Sequence, residues 1–505
     1  MIGLGSAPML SELMPTLQNF GIRVIAEDAH RLRPSVEGGV AHVQAFSVQG
    51  PDGRSLLAAP GAGAAAEAIR SVRNRIAEDD PLNALVLTAG LQWREVSLLR
   101  AYLGAAFQMR LAPARPALRR VLLNQPELAR VLLDLFVARL DPDHPTPEQR
   151  TAELRASYIE KLSAIDNIAD DRIARSLLSM VEATVRTNFF CPMPAPDPYI
   201  VLKFESGRIV GLLDTPPIYE IHVNSPSMEG CHLRAGKVAR GGIRFSDRPD
   251  DFRTEILGLM KTQTVKNAII VPIGSKGGFI VKRPAAGATG PETGIDAYRT
   301  LMNAMLDVTD NIVDGKLAHP PGVKVLDTDG AYLVVAADKG TAAFSDAANA
   351  IAEQRGFWLG DAFASGGEHG FDHKKIGITA RGAWESAKRH LREVGRDPDR
   401  GAPITMIGIG DMSGDVFGNG LLRSHNVRLL AAFDHRHIFI DPDPEPAKSF
   451  DERKRLFDQP GSQWSDYSVA TISKGGGVWR RGQKLIELSP QARVALGCQA
   501  GALDG

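Results

Sequence analysis

Residues 237–278, KVARGGIRFSDRPDDFRTEILGLMKTQTVKNAIIVPIGSKGG, gather cationic side chains and tight glycine pairs around two apolar strands. Arg240, Lys266 and Lys276 each stand beside a glycine pair or a strand end, where short backbone turns let a small anion approach closely. That layout suits a small carboxylate better than a polymer. A solvated basic face is the alternative. The apolar run Ala268 to Pro272 between the two lysines speaks against it by implying burial, and a buried lysine needs a partner or a shifted pKa.

Two further features supply complementary chemistry. Asp338 closes the apolar stretch AYLVVAAD, and a carboxylate at the C-terminal end of a strand lies where open α/β sheets place their ligands. It could instead cap the helix SDAANAIAEQ, although Ser345 or Asp346 fits that role better. Farther on, ITMIGIGDMSGDVFGNGLL sets an apolar strand ahead of Gly408, Gly410, Ser413 and Gly414, with helical spacing after them. A strand, glycine turn and helix in that order can cradle a pyrophosphate against the helix N-terminus. The next strand, VRLLAAFD, ends on Asp434, placed to bind a ribose 2′-hydroxyl. His435 and Arg436 follow directly, and an arginine there could neutralise a 2′-phosphate; the carboxylate favours NAD over NADP.

A metal reading of His369, His373, His435 and His437 in HGFDH and DHRH is the weaker one. The first pair lies in a glycine-rich loop with no cysteine near, and hydride transfer to a nicotinamide needs no metal. No metal is expected.

The elements that must position these residues follow from length and periodicity. The 505 residues carry 59 basic and 59 acidic side chains, so neither the basic excess nor the stripe of a nucleic-acid binder is present. No apolar run reaches the length of a membrane span, and no secretory signal is visible at MIGLGSAPMLSEL. Cys191, Cys231 and Cys498 are odd in number and far apart, which argues for a reducing cytoplasm rather than a disulfide framework.

Residues 1–58 read as a small α+β fragment: a helix from Leu10 to Phe20 stopped at Gly21, then strands IRVIAED and AHVQAFSV, with no first strand expected. Residues 59–190 form a helical region that concentrates no chemistry, with a helix start at Thr146, Pro147 and Gln149. The proline-rich CPMPAPDPY opens an α/β substrate domain over 191–375. Its strands are YIVLKFES, IYEIHVNS, VKVLDTD and AYLVVAAD, and its helix is AYRTLMNAMLDVTDNIV. Residues 376–505 form a Rossmann-type dinucleotide-binding domain, incomplete because the last fifty residues do not supply its later strands. The fold class is therefore multidomain α/β.

Three blocks carry a family resemblance: ARGGIRFS with TVKNAIIVPIGSKGG, then VVAADKGTAAFSD, then GIGDMSGDVFGNG with AAFDHRHIFIDP. Together they resemble glutamate dehydrogenase, in particular the large bacterial NAD-specific branch, and the first fifty residues are similar to its ACT-like modules. The chain looks like an internal piece of such an enzyme. The resemblance implies NAD-dependent oxidative deamination of L-glutamate to 2-oxoglutarate and ammonium, in a cytoplasmic homo-oligomer without nucleic-acid or membrane partners. By motif position, Lys266 would bind the substrate α-carboxylate and Lys276 would be the catalytic lysine, with a lowered pKa. Arg240 would take the distal carboxylate, Asp338 would transfer protons, and Thr379 in GITARG would contact the cofactor.

Three departures stand out. PIGSKGG departs from the GGxKGG of small members, Arg240 replaces a lysine, and Ser413 stands where a third glycine or alanine is usual. The alternatives are a dehydrogenase of another amino acid, against which the cationic Arg240 speaks, and a non-catalytic regulatory or assembly fragment.

Overall fold

The structure is a computed structural model. It describes residues 2–4, 9–32, 41–51, 53, 55–192, 197–212, 215–266, 273–282, 294–328, 330–338, 340–341, 343–370, 373–499 and 502–503. The chain forms two compact units, Met1–His369 and Gly370–Gly505.

The first unit opens with an antiparallel sheet of order β1-β3-β2, made of β1 (Ile2–Leu4), β2 (Arg23–Leu32) and β3 (Ala41–Gln49). Helix α1 (Leu10–Asn19) packs against β2, and Gly21 ends it in a left-handed conformation, φ 73°, which glycine adopts without strain. The strand thought missing is present: Ile2–Leu4 pairs with Ala41–Val43. Three residues are too few to carry a period of two.

Seven helices follow among the described residues: α2 (Ala62–Arg73), α3 (Ala84–Thr88), α4 (Trp93–Gln108), α5 (Arg115–Asn124), α6 (Pro126–Leu140), α7 (Glu148–Leu162) and α8 (Ile168–Ala183). The expected capping box at Thr146 does not form, because α7 starts at Glu148 with Pro147 as its cap. Asn167 caps α8, its side chain accepting from the amides of Ala169 and Asp170. The block ends in strand β4 (Thr184–Thr187) rather than remaining helical to its end.

An eight-stranded mixed sheet holds the substrate region. Its strands are β4, β5 (Ile200–Glu205), β6 (Tyr219–Asn224), β7 (Met228–Arg234), β8 (Arg240–Phe245), β9 (Ser275–Val281), β12 (Val334–Ala337) and β13 (Ala364–Ser365), in the order β13-β12-β8-β9-β7-β6-β5-β4. Pairing is parallel from β13 to β9 and antiparallel from β9 to β4. Residues of β6 and β7 are buried throughout, so both faces are covered and these strands do not alternate. On one face Val201, Ile221, Ile243, Phe279 and Val335 pack with helices α10 (Ile295–Asp307) and α11 (Ser345–Gln354). On the other, Cys231, Leu233 and Ile280 pack with helix α9 (Phe252–Lys266), while Leu202 and Phe204 meet the helical block.

Three further expectations change here. The tail of AYRTLMNAMLDVTDNIV leaves the helix at Asp307 and enters a hairpin of β10 (Asn311–Val313) and β11 (Lys316–Ala318). The described residues 323–328 of VKVLDTD join no sheet; Asp327 is drawn instead into a buried ion cluster, where Lys203 Nζ lies 2.8 Å from it and Arg186 binds both it and Asp310. Neither Ser345 nor Asp346 caps α11, since Ser345 Oγ donates to Ser365 O and Asp346 accepts from the Glu368 amide.

The second unit contains helices α12 (His373–Ile376) and α13 (Ile378–Glu393), then strand β14 (Ile404–Ile409), helix α14 (Asp415–Leu421) and strand β15 (Val427–Phe433). The chain continues with β16 (His437–Ile440), α15 (Pro446–Asp458), β17 (Gly477–Arg480), β18 (Ile486–Glu487), α16 (Pro490–Leu496) and β19 (Ala502–Leu503). β14 and β15 are parallel around α14, and β16 and β17 extend the sheet antiparallel. Phe417, Phe439, Trp464 and Tyr467 fill the core of this unit.

Candidate active site

Three parallel strands place the candidate residues of the first unit. Ala337 on β12 and Gly277 on β9 both pair with Ile243 on β8. Ile243 faces the α10 core, so the period of two turns Arg240, Gly242 and Arg244 toward α9. Lys276 and Asp338 meet on this same side: Lys276 Nζ is in ion-pair contact with Asp338 Oδ2, and both side chains are about five-sixths buried. Sequence spacing alone did not show that these two would touch.

Close approach depends on glycines. A Cβ at Gly242 would lie 3.2 Å from Lys276 Nζ and 3.0 Å from Ala337 O, and one at Gly241 would fall 1.5 Å from Ser275 O. Asp338 is held by its backbone too. Its amide donates to Thr341 Oγ1 at 3.0 Å, and that hydroxyl donates to Ile243 O at 2.7 Å.

Arg244, Glu255 and Thr341 were not singled out from the sequence. Arg244 Nη2 reaches Asp338 Oδ1 at 3.3 Å, while its Nη1 donates to Glu255 Oε1 at 2.7 Å. Ser246 Oγ donates to the other Glu255 oxygen, also at 2.7 Å. Burial works against the Arg244 charge, but Glu255 and Asp338 outweigh it and the guanidinium pKa rises. The GGIR spacing could have revealed Arg244, since a strand puts it on the face of Arg240. Glu255 could not be assigned without recognising α9.

Arg244, Lys276, Asp338 and Glu255 sum to zero charge. Arg240 therefore adds an unbalanced cation; it is half-buried, and among the described residues its contact is a backbone one, Gln263 Nε2 donating to its carbonyl. Lys266 ends α9, but its side chain and residues 267–272, including the apolar run from Ala268, lie outside the described residues. Behind the sheet, His232 pairs in register with Gly277 and faces away from Lys276. Burial, helped by Arg234 and Lys203, pushes its pKa down to about 3, so it is neutral near pH 7.

In the second unit the glycine turn has a packing role that the sequence reading did not include. Cβ atoms at Gly408 and Gly410 would meet the Phe417 ring at 2.4 and 3.0 Å, and Gly410 has φ 137°. The amides of Ser413 and Gly414 donate to Asp411 Oδ1 at 2.9 and 3.1 Å. Asp434 follows β15 as expected, with Oδ1 accepting from the Arg436 and His437 amides at 2.7 and 2.6 Å. Its Oδ2 is buried and lacks a hydrogen-bond partner among the described residues. Arg436 Nε donates to His435 Nε2. Thr379 is exposed at the start of α13, where Gly377 abuts Asn419 of α14. Ala380, Trp384, Met406, Gly408 and Phe417 line an apolar groove of about 250 Å³ beside the turn.

Among the described residues, no group of three or more His, Cys, Asp or Glu side chains is arranged to hold a metal. All three cysteines are free. No helix of the described residues is long and apolar enough to cross a membrane.

Residues 157–505 match the family "Bacterial NAD-glutamate dehydrogenase, catalytic domain"; residues 77–142 match "Glutamate dehydrogenase, helical motif 3", and residues 3–59 match "Glutamate dehydrogenase, ACT3 domain". Curated relatives bearing the name NAD-specific glutamate dehydrogenase include those of Halomonas elongata, 43% identical over 505 residues, and Mycobacterium tuberculosis, 46% identical over 523. A third, from Pseudomonas aeruginosa, is 45% identical over 503 residues. Each alignment takes in 98% or more of this chain but only 31–32% of the relative, so the chain spans about a third of their length. The chain belongs to the bacterial NAD-glutamate dehydrogenase family.

Proposed function

We propose that this member of the family binds L-glutamate and supports its NAD-dependent oxidative deamination to 2-oxoglutarate and ammonium. The observation that carries the proposal is the Lys276–Asp338 contact beside Gly242, with Arg240 as an extra cation on the same face of β8.

Arg240 receives the distal carboxylate of the substrate, and Lys266, by its motif position, the α-carboxylate. Two cationic anchors select a dicarboxylic amino acid, because an apolar side chain would leave a desolvated guanidinium unpaired. NAD, when bound, would supply the acceptor for the hydride that leaves Cα of the substrate in its neutral-amine form. Asp338 Oδ2 first takes the extra proton of Lys276, so that the neutral amine accepts one proton from the water that adds to the resulting iminium carbon. Lys276 returns that proton to the amino group, the C–N bond breaks as the C=O bond forms, and the hydroxyl proton goes to the departing nitrogen, which leaves as ammonium.

The second unit fits the cofactor in part. The buried, unpartnered Oδ2 of Asp434 at the end of β15 is an acceptor suited to a ribose hydroxyl. Gly408, Gly410, Ser413 and Gly414 would hold the pyrophosphate and Thr379 the adjoining part; the Ser413 and Gly414 amides must first leave Asp411. A homo-oligomer is part of this proposal.

Calorimetric titration of 2-oxoglutarate tests the substrate half of the reading. Binding that weakens in Arg240→Met and is absent for 2-oxobutyrate supports it; equal affinity for both acids overturns it.

A further inference from the structure

Glu255 grips the arginine that also holds Asp338. Arg244 divides its two terminal nitrogens, Nη1 to Glu255 Oε1 at 2.7 Å and Nη2 to Asp338 Oδ1 at 3.3 Å. The shorter contact is the one to Glu255. Ser246 Oγ fixes the second Glu255 oxygen at 2.7 Å, and α9 carries Glu255 in its first turn.

We propose that Glu255 is a positioning residue for the proton-handling pair: it shares Arg244 with Asp338, so that Oδ1 is held and Oδ2 stays turned to Lys276. The inference rests on the reading of Lys276 and Asp338 as that pair. A guanidinium committed wholly to Asp338 would form a bidentate fork with both carboxylate oxygens. Oδ2 would then be withdrawn from Lys276. Glu255 prevents this by keeping Nη1 on its own carboxylate, and it balances the Arg244 charge next to the lysine.

Among the described residues, the groups facing Lys276 are Arg240 and Arg244 from β8, Asp338 after β12 and, through Arg244, Glu255 from α9. From β7, His232 lies on the opposite face and is neutral, while Arg234 donates to the carbonyl of Tyr332. Removing the Glu255 charge leaves a cationic excess, which favours the neutral amine of Lys276. Removing the Arg244 charge does the reverse.

The test is the pH profile of Lys276 acetylation by acetic anhydride, read by peptide mass spectrometry on the folded chain. In Glu255→Gln the profile is expected to move to lower pH by roughly 0.5 to 1 unit, the size expected of one screened neighbouring charge. In Arg244→Met it moves to higher pH, and Glu255→Asp restores most of the original profile. A merely structural loosening would move both variants alike. Coincident profiles for Glu255→Gln and the unsubstituted chain overturn the proposal; if Glu255→Gln fails to fold, an unmoved profile in Arg244→Met does so. Because labelling needs no turnover, opposite shifts with unchanged glutamate oxidation would sink the catalytic reading and leave the positioning intact.

Discussion

Gly242 faces Lys276 so closely that a Cβ on the glycine would stand 3.2 Å from the lysine Nζ and 3.2 Å from Asp338 Cβ. Contacts that tight force a neighbour to give way. Gly242→Ala is expected to push Lys276 off Asp338 while leaving the sheet paired, and a displacement of about 1 Å can cost roughly 100-fold in rate. Steady-state glutamate oxidation beside a circular dichroism spectrum checks this: low turnover with unchanged secondary structure is the expected result.

Among the described residues, Arg240 adds a cation to this face beyond the Arg244, Lys276, Asp338 and Glu255 charges, which cancel. Arg240→Met is expected to weaken 2-oxoglutarate binding by roughly 10- to 100-fold, as for loss of one charged contact. Arg240→Lys should recover only part of it, because a point donor does not reproduce a planar fork. The dissociation constants of the three proteins decide the matter.

The fold also contains a strongly pH-dependent element. Glu220 is fully buried; burial would raise its carboxyl, but Arg253, donating to it at 2.7 Å, and His222 hold the pKa at about 2. A folded pKa below the unfolded one contributes stability above the unfolded value, and that contribution is lost as pH falls toward about 2. Glu220→Gln takes the counter-charge of Glu220 away from the buried Arg253, at a cost of roughly 3 to 5 kcal/mol near pH 7. The gap between the urea midpoints of the two proteins should narrow from pH 5 toward pH 2, since over that range only the unsubstituted chain takes up a proton at this position on unfolding; a constant gap would refute the linkage.

Asp434 permits a test that spares its turn. Asp434→Asn keeps an oxygen for the Arg436 and His437 amides but removes the negative charge proposed to meet the ribose. NAD affinity is expected to fall about 10-fold, with NADP no longer disfavoured, since each missing charge-assisted contact contributes on that order. Fluorescence titration with both reduced nucleotides reads the change directly.

Sequence reasoning located the cationic strand, the Asp338 strand end and the glycine turn because each is a local pattern: a strand with punctuation at its end. It did not show that Lys276 and Asp338 touch, since that contact is made by β12 and β9 flanking β8, a pairing across residues far apart in sequence. Helix α9 escaped notice because it is buried against β7 and β9 and lacks a one-sided apolar stripe. VKVLDTD was misread for a related reason. Its β-branched residues suggest a strand, but the buried Arg186 and Lys203 charges claim Asp327, and that tertiary demand overrides local propensity.

Glutamate oxidation followed at the reduced-nicotinamide absorbance band, with the protein beside Lys276→Ala and Asp338→Asn, tests the central claim most directly. Turnover with NAD should fall by about 1,000-fold or more in both substituted proteins, the scale of lost general acid–base catalysis, while 2-oxoglutarate still binds. Either variant turning over glutamate at the unsubstituted rate would contradict the assignment of this pair.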